Sequence, residues 1–184
     1  PWVVPSYVVG LLWGFMWLKE GIINHLLVDV LGLLSEKPHW LIGPLTFVAI
    51  VVPTVWRGWP FVMVTYLAAL QTVPQELYEA AKVDGANSWQ ILRHVTLPLL
   101  RPTLLFVVIL AIIGSYNLFA EPYLLLGQSG GPGDSGLFMT VYLYLTGFRT
   151  LSFGYASAIA YAQVIIVLVL SLIQLKLLGA FREV

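Results

Sequence analysis

Charge is absent from long stretches of this chain. Residues 1–18, 38–56, 58–75, 102–120 and 150–175 contain no Asp, Glu, Lys or Arg. About 20 apolar residues wound into a helix cover the roughly 30 Å hydrocarbon core of a bilayer. The runs therefore predict four membrane spans, at about 1–18, 43–70, 103–122 and 154–177. The second and third runs are separated only by Arg57. They are joined into one span with a break at Arg57-Gly58-Trp59-Pro60. Two short buried helices with a turn between them are the alternative.

Composition agrees with that pattern. Of 184 residues, 59% are hydrophobic and 10% charged, against roughly 45–50% and 25% in soluble domains. Such hydrophobicity excludes intrinsic disorder. Nine basic residues balance nine acidic ones, so no net field or basic patch recruits nucleic acid. The absence of cysteine removes disulfides, thiolate metal sites and thiol nucleophiles. The chain opens on Pro1, and its first span lacks the charged lead and cleavage site of a signal peptide. It reads as a fragment of a longer protein.

Orientation follows from Lys and Arg in the short loops. With four spans, segments 71–102 and 176–184 share a side and carry Lys82, Arg93, Arg101, Lys176 and Arg182. Segments 19–42 and 123–153 carry Lys19, Lys37 and Arg149. This bias places loop 71–102 in the cytoplasm. Trp13, Trp17 and Trp40 are then expected near one membrane interface and Trp89 near the other.

Loop 71–102 holds the strongest local signals. Thr72 can cap a helix with Gln75 three positions on, and Pro74 suits a first turn. Glu76 and Glu79 favour that positive helix end. Leu77, Ala80, Ala81 and Asp84 share a face at i, i+3, i+4, i+7 spacing. Gly85 is placed to end the helix in the left-handed conformation. Asn87 or Ser88 can cap a second short helix, which Leu97-Pro98 is expected to stop. The loop is thus a helix–turn–helix lying across the membrane surface. Its two alanines leave a shallow face that another protein can approach. An interfacial helix that only anchors the bundle is the competing reading.

The run Glu79-Ala80-Ala81, Asp84-Gly85-Ala86, Ile91 and Leu97-Pro98 resembles the EAA loop of inner-membrane permease subunits of binding-protein-dependent ABC importers. Further stretches resemble the sugar-type branch: Gly21-Ile22-Ile23-Asn24-His25-Leu26-Leu27, Trp40-Leu41, Trp56-Arg57-Gly58-Trp59-Pro60-Phe61, Leu67-Ala68-Ala69-Leu70-Gln71, Gly130-Gly131-Pro132 and Gly154-Tyr155-Ala156-Ser157-Ala158. The likeness runs from about residue 1 to about 178. Asp134 to Thr140 follows the branch's Gly-Gly-Pro-to-Thr spacing only loosely, which bears on the solute rather than on the transporter class.

The resemblance implies an all-α fold, a polytopic transmembrane helical bundle of the MetI-like ABC importer permease type. A short cytoplasmic coupling helix is part of it, and one or two spans are missing upstream. It implies multi-pass residence in the bacterial inner membrane and no ATPase site or cofactor in the chain itself. Its partners would be cytoplasmic ATP-binding ATPase subunits, a second permease subunit and an extracytoplasmic solute-binding protein. Glu79, Ala80, Ala81, Asp84, Gly85, Leu97 and Pro98 would couple the permease to the ATPase. ATP-driven closure of the ATPase pair would then rock the bundle between inward-open and outward-open.

Residues for the solute path come from the spans. Arg57 is costly inside a bilayer, roughly 2.5–3.5 kcal/mol at its centre. It must face water or a partner, and Gly58 and Pro60 can break the helix beside a cavity. Snorkelling or a structural pairing is the other option. Tyr116, Asn117 and Phe119 mix aromatic faces with an amide, which suits a sugar. Serine and asparagine also serve as interhelical hydrogen-bond partners. Glu121-Pro122 is expected to end the third span, with Glu121 a solvated loop charge.

The remaining features exclude more than they suggest. Segment 127–136 is glycine-rich and lacks Gly-Lys-[Ser/Thr], so it is no P-loop. It suits an outer loop or a plain linker. Gly154/Ala158 and Ala156/Ala160 allow close helix packing. His25, His39 and His94 lack partners at metal-ligand spacing. No catalytic constellation stands out, which disfavours an intramembrane enzyme. A proton- or sodium-coupled transporter would want an ionisable coupling residue within a span, and Arg57 alone serves poorly.

Overall fold

The computed structural model describes residues 1–127 and 130–177. They are helical, without strands among them. The order is α1 (Ser6–Met16), α2 (Ile22–Asn24) continuing as a π-helical stretch His25–Val30, a 3₁₀ turn Gly43–Leu45, then α3 (Thr46–Gln71). Next come α4 (Gln75–Val83), α5 (Ser88–Ile91), a π-helical stretch Leu92–Thr96, α6 (Leu97–Leu99) and α7 (Arg101–Tyr116). The chain continues through α8 (Ala120–Leu125), a 3₁₀ turn Pro132–Asp134, α9 (Met139–Tyr144), a π-helical stretch Leu145–Arg149 and α10 (Phe153–Leu177). It divides into two units, Pro1–Trp59 with Ser115–Ile166, and Pro60–Gly114 with Val167–Val184. The second is described to residue 177.

Among the described residues, three stretches are long and apolar enough to cross a membrane: Gly43–Gln71, Arg101–Leu125 and Phe153–Leu177. These correspond to the second, third and fourth expected spans. The first expected span, 1–18, is different. Its helix α1 has 11 residues, only about 16 Å of rise. Pro1 to Pro5 stay outside it, because Pro5 fixes an extended N-cap with φ −57° and ψ 140°.

The expected break at 57–60 is absent, since α3 runs unbroken through Arg57-Gly58-Trp59-Pro60. Two prolines lie inside it, Pro53 and Pro60. Proline has no N–H, so the carbonyl four residues before it loses its donor. For Pro53 that carbonyl belongs to buried Ala49, and the Trp17 indole N–H donates to it at 3.1 Å. One turn away, Thr54 Oγ1 donates to Ile50 O at 2.8 Å. The Trp17 side chain thus replaces the missing bond, as proline-containing membrane helices require.

In the first unit the core comprises Val9, Trp13, Trp17, Ala49, Ile50, Leu125 and Leu126. Trp13 and Trp17 were expected at a membrane interface, but they are buried, at 8% and 5% exposure. Trp13 meets Trp17 at 5.4 Å and Trp56 at 5.8 Å, and Trp17 meets Trp40 at 4.7 Å. The aromatic spacing that suggests a belt reflects packing of α1 on α3. Trp89 is exposed. Helix α1 packs on α8 where Gly10 has no Cβ; one there would lie 2.9 Å from Leu124 Cβ. Of the expected small-residue positions in α10, Ala156 is buried against Gly147, whereas Gly154 has open space around it. The glycine-rich segment folds back on Leu126, whose side chain occupies the space beside Gly131 and Gly136. Residues 128 and 129 of that segment lie outside the described residues.

The 18–40 stretch is organised by Asn24, which is fully buried. Its Nδ2 donates to Leu18 O (3.3 Å), Lys19 O (3.0 Å) and Pro38 O (3.1 Å), and its Oδ1 accepts from Trp40 Nε1 at 2.7 Å. Outside it, Asp29 Oδ2 lies 2.9 Å from His25 Nδ1 and 3.2 Å from Lys37 Nζ, which also bonds Glu20 at 2.7 Å. The hydrogen bonds from His25 and Lys37 hold the Asp29 carboxyl below its ordinary value. The bonds to Glu20 and Asp29 raise the Lys37 ammonium above its own.

In the second unit, Thr96 is buried and its Oγ1 lies 3.4 Å from Tyr78 OH, closing α4 onto the segment after it. Gln174 Nε2 donates to Leu105 O at 3.3 Å, joining α10 to α7.

Two outcomes follow. Trp17→Phe leaves the Ala49 carbonyl buried and unpaired and should cost about 1–3 kcal/mol. Trp13→Phe should cost less, because the Trp13 indole N–H has no partner among the described residues. Thermal unfolding of both variants in detergent checks the order. The Asp29 pairings contribute above the ordinary aspartate range and are lost as pH falls through the lowered value; the Lys37 pairings are lost only as pH rises through the raised one. Amide protection factors in 25–37, corrected for the intrinsic pH dependence of exchange, should therefore fall at acidic and strongly basic extremes and stay flat between them.

Candidate functional site

Two places gather the residues that the sequence singled out, one in each unit. In the second unit, α4 presents no buried residue. Glu76 sits in its first turn and Lys82 in its last, matching the helix dipole. Thr72 plays a different part from the expected cap. Its Oγ1 donates back to Ala69 O at 2.8 Å and closes α3, and Pro74, not Thr72, occupies the N-cap of α4. The preceding helix reaches Gln71, which leaves Thr72 nearer to its end than to the next start.

The end of α4 forms as expected. Gly85 takes φ +77°. Its N–H donates to Lys82 O at 3.0 Å, and the Ala86 N–H donates to Ala81 O at 2.9 Å. These two bonds are a Schellman closure, which needs a residue free to adopt left-handed φ. Two residues on, Asn87 caps α5. Its Oδ1 accepts from the Gln90 N–H at 2.9 Å while its own N–H donates to Gln90 Oε1 at 2.8 Å. The turn between α4 and α5 is thus fixed from both sides by local bonds.

Leu97-Pro98 does not stop the following helix. The backbone widens into the π-helical stretch Leu92–Thr96 and continues into α6, with Leu97 at helical angles of −61° and −42°. In the wide turn the Leu97 N–H reaches Leu92 O five residues back. Pro98 then falls in the first turn of α6, where its missing N–H has no intrahelical partner to serve.

Open clefts flank the hairpin. One, of about 570 Å³, is lined by Gln75, Tyr78, Glu79, Lys82, Ser88, Ile91, Leu92 and Thr96. Another, of about 320 Å³, is lined by Ala81, Asp84, Gly85, Ala86, Gln90, Ile91, His94 and Val95. Glu79 and Ala80 are exposed between these flanks, and Leu97 and Pro98 are exposed as well. An exposed carboxylate beside two alanines, on a helix held by a fixed turn, forms a rigid, low-profile contact surface.

In the first unit the structure locates the chain's interruption elsewhere than expected. Helix α7 ends at Tyr116, residues 117–119 leave helical geometry, and α8 restarts at Ala120. The Tyr116 carbonyl, orphaned by the helix end, accepts Thr140 Oγ1 at 2.8 Å and Gln163 Nε2 at 2.9 Å. Gln163 Nε2 also lies 3.2 Å from Asn117 Oδ1, while its own Oε1 is buried with no partner among the described residues. Phe119 stacks on Tyr123 at 4.9 Å and meets Tyr144 edge-on at 5.2 Å. Tyr116, Asn117 and Phe119 are therefore brought together at a helix break walled by aromatic rings.

Arg57 lies in the same unit with structural partners. Its Nε donates to Val4 O at 3.2 Å, and its Nη1 lies 3.8 Å from Glu121 Oε1. Glu121 is not the solvated loop charge that its sequence position suggests. The side chain is 4% exposed, against 36% for Arg57. Glu121-Pro122 opens α8 rather than ending α7, and α8 carries the carboxylate inward to α3.

Sequence reasoning did not single out Gln163, Thr140 or Asn24. One signal was available for Gln163: it is a lone amide in an otherwise apolar stretch of α10, and an amide in a membrane helix seeks an interhelical partner. Among the described residues no group of three or more metal-binding side chains occurs.

Known proteins resemble this chain throughout its length. The sequence pattern of the family described as binding-protein-dependent transport system inner membrane component matches residues 1–180. The lactose transport system permease protein LacF of Rhizobium radiobacter is 37% identical over 176 residues, covering 95% of this chain and 59% of that protein. The trehalose/maltose transport system permease protein MalF of Thermococcus litoralis is 37% identical over 187 aligned positions, covering 100% and 60%. The chain thus spans about three fifths of the length of these curated relatives. Among solved structures, a bacterial ABC transporter importing the acidic polysaccharide alginate superposes with a TM-score of 0.83 at 24% identity, covering 100% of this chain and 63% of that one.

The α4–α5 turn is testable by itself. Asn87→Ala removes the side-chain half of the cap and should cost about 1 kcal/mol. It should speed hydrogen exchange at the Gln90 amide, with Asn87→Asp close to unchanged. Equal exchange in all three proteins would show that the cap does not hold the turn.

Proposed function

The chain belongs to the family of binding-protein-dependent transport system inner membrane components, and from that premise we propose that it forms part of the translocation path of an ABC importer for a sugar-type solute. It hydrolyses no ATP itself. Separate cytoplasmic ATPase subunits supply the energy, an extracytoplasmic binding protein delivers the solute, and a second permease subunit completes the path. The observation that carries this reading is the α4–α5 hairpin: an exposed nine-residue helix with a carboxylate and two alanines, closed by a Schellman turn and a reciprocal cap.

Each coupling residue has a mechanical part. Ala80 and Ala81 let the ATPase surface come close to the α4 backbone. Glu79 offers a carboxylate to a basic or amide group there. Gly85 and Asp84 hold the turn, so that a push on α4 reaches α5 as a displacement rather than a local bend. Leu97 and Pro98 lie where the π-helical stretch passes into α6 and on towards α7. A rigid lever of this kind suits alternating access by rigid-body motion.

The solute path runs past the break at 117–119. There Phe119 and Tyr116 offer aromatic faces to the C–H surface of a sugar, and Asn117 offers hydrogen bonds to its hydroxyls. Broken helices in transporters line cavities because their freed backbone groups need polar surroundings. Arg57 contributes the part of its guanidinium left open beside Glu121. The names of relatives that transport lactose and trehalose or maltose support a saccharide as the solute.

Glu79→Lys reverses the charge of the contact surface, and Gly85→Val forces a β-branched residue into positive φ. In the assembled complex in proteoliposomes, both should abolish solute uptake and solute-stimulated ATP hydrolysis while the subunit still inserts. Asn117→Leu should lower uptake yet leave basal hydrolysis intact. Unchanged uptake and stimulated hydrolysis in Glu79→Lys would remove α4 from the coupling role. Uptake that survives ATP depletion and fails with an uncoupler would overturn the importer reading.

A further inference from the structure

The stretch between α1 and α3 has three distinct faces. Ile22, Leu26 and Val30 recur every four residues along Ile22–Val30, one turn apart, and are 49%, 44% and 59% exposed. On a second face, Ile23 packs against the core and Asn24 is fully buried. The third face is charged: His25 and Asp29 lie one turn apart, with Lys37 and Glu20 linked to them. We propose that this stretch lies in the plane of the membrane, with Ile22, Leu26 and Val30 immersed in the lipid interface and the His25–Asp29–Lys37–Glu20 strip facing water.

The chain's own bonds keep the stretch at the membrane surface. It leaves α1 at Met16 and enters the membrane-crossing stretch at Gly43. Asn24 bonds both ends together, to Leu18 and Lys19 on one side and to Pro38 and Trp40 on the other. Trp40 then meets Trp17 at 4.7 Å. With its base stapled in this way, the segment cannot extend far from the point where the helices leave the hydrocarbon.

The exposed stripe favours lipid over a protein partner on two counts. It is purely aliphatic, whereas protein hot spots are enriched in Trp, Tyr and Arg. It also follows directly on apolar side chains of α1 and its end that are exposed as well, Leu11, Leu12, Phe15 and Leu18. A segment with one aliphatic face and one charged face is the pattern of a helix lying in the bilayer interface.

Cysteine labelling suits the test, since this chain contains none. Nitroxide labels at Ile22→Cys, Leu26→Cys and Val30→Cys are compared with His25→Cys in the full-length protein reconstituted in liposomes. Oxygen partitions into lipid, and a nickel chelate stays in water. Relaxation by oxygen should exceed that by the chelate several-fold at 22, 26 and 30, with the order reversed at 25. Equal access of the chelate to 26 and 25 would mean an aqueous surface. Poor access of both reagents to 22, 26 and 30 would mean a protein cover. Either result overturns the proposal. A fluorophore at position 26 gives an independent reading. Lipids brominated near the headgroup should quench it more strongly than lipids brominated at the chain end, and the opposite order would also overturn it.

Discussion

A single hydrogen bond, from the Trp17 indole N–H to the Ala49 carbonyl, lets the first unit exist in its present form. A helix in lipid has no water to satisfy a stray carbonyl, and an unpaired one costs several kcal/mol. Pro53 creates such a carbonyl inside α3. Only a donor from outside the helix can answer it, so the end of α1 must lie against this turn of α3. That placement draws Trp13 onto Trp56 and Trp17 onto Trp40. It also leaves Gly10 to receive Leu124 of α8. The proline thus specifies a packing partner.

The same rule explains the break at 117–119. A helix end exposes carbonyls, and the Tyr116 carbonyl is met by Thr140 and Gln163, residues 24 and 47 positions away in sequence. Local pattern marks Gln163 as an amide in need of a partner but names neither pairing, because long-range bonds leave no spacing signature. The expectation of a break at 57–60 applied the right principle to the wrong helix. Proline and glycine mark places where backbone bonds are lost, yet the outcome depends on whether a side chain elsewhere replaces them. Around Pro53 replacement keeps α3 continuous. At Tyr116 it stabilises an interruption, and Pro122 falls in the first turn of the helix that restarts.

Loop 71–102 was far more legible, since its determinants lie within five residues of one another. Gly85 and Asn87 announced the turn, and Glu76 announced the helix start. The two departures there have local causes too. Thr72 had a choice between capping forward and bonding back, and α3 reaches close enough to claim it. A proline disfavours helical angles in the residue before it, which makes Leu97-Pro98 read as a stop, yet Leu97 keeps them. The π-helical turn before it shifts bonding to the fifth, so the proline falls where no bond is missing. The helical bundle itself was legible from uncharged runs alone. The length of α1 was not, because hydropathy counts Pro1 to Pro5 as apolar while backbone geometry excludes them from the helix.

Glu121 shows how far composition can mislead about charge. Beside a proline at the end of an apolar run, a glutamate reads as the first residue in water. It is instead buried, with the Arg57 guanidinium as its partner. Each charge supplies the reason for the other. Arg57 in α3 would be costly in lipid without an anion, and the Glu121 carboxylate would be costly to bury without a cation. Arg57 also holds the Val4 carbonyl, which the extended chain before α1 leaves without a helical partner. The pair therefore adds a polar tie among three segments that also meet in the apolar core: the N-terminal stretch, α3 and the start of α8. A buried ion pair adds little to stability over a well-packed apolar replacement. What it provides is register between α3 and the start of α8, immediately after the break that holds Asn117 and Phe119.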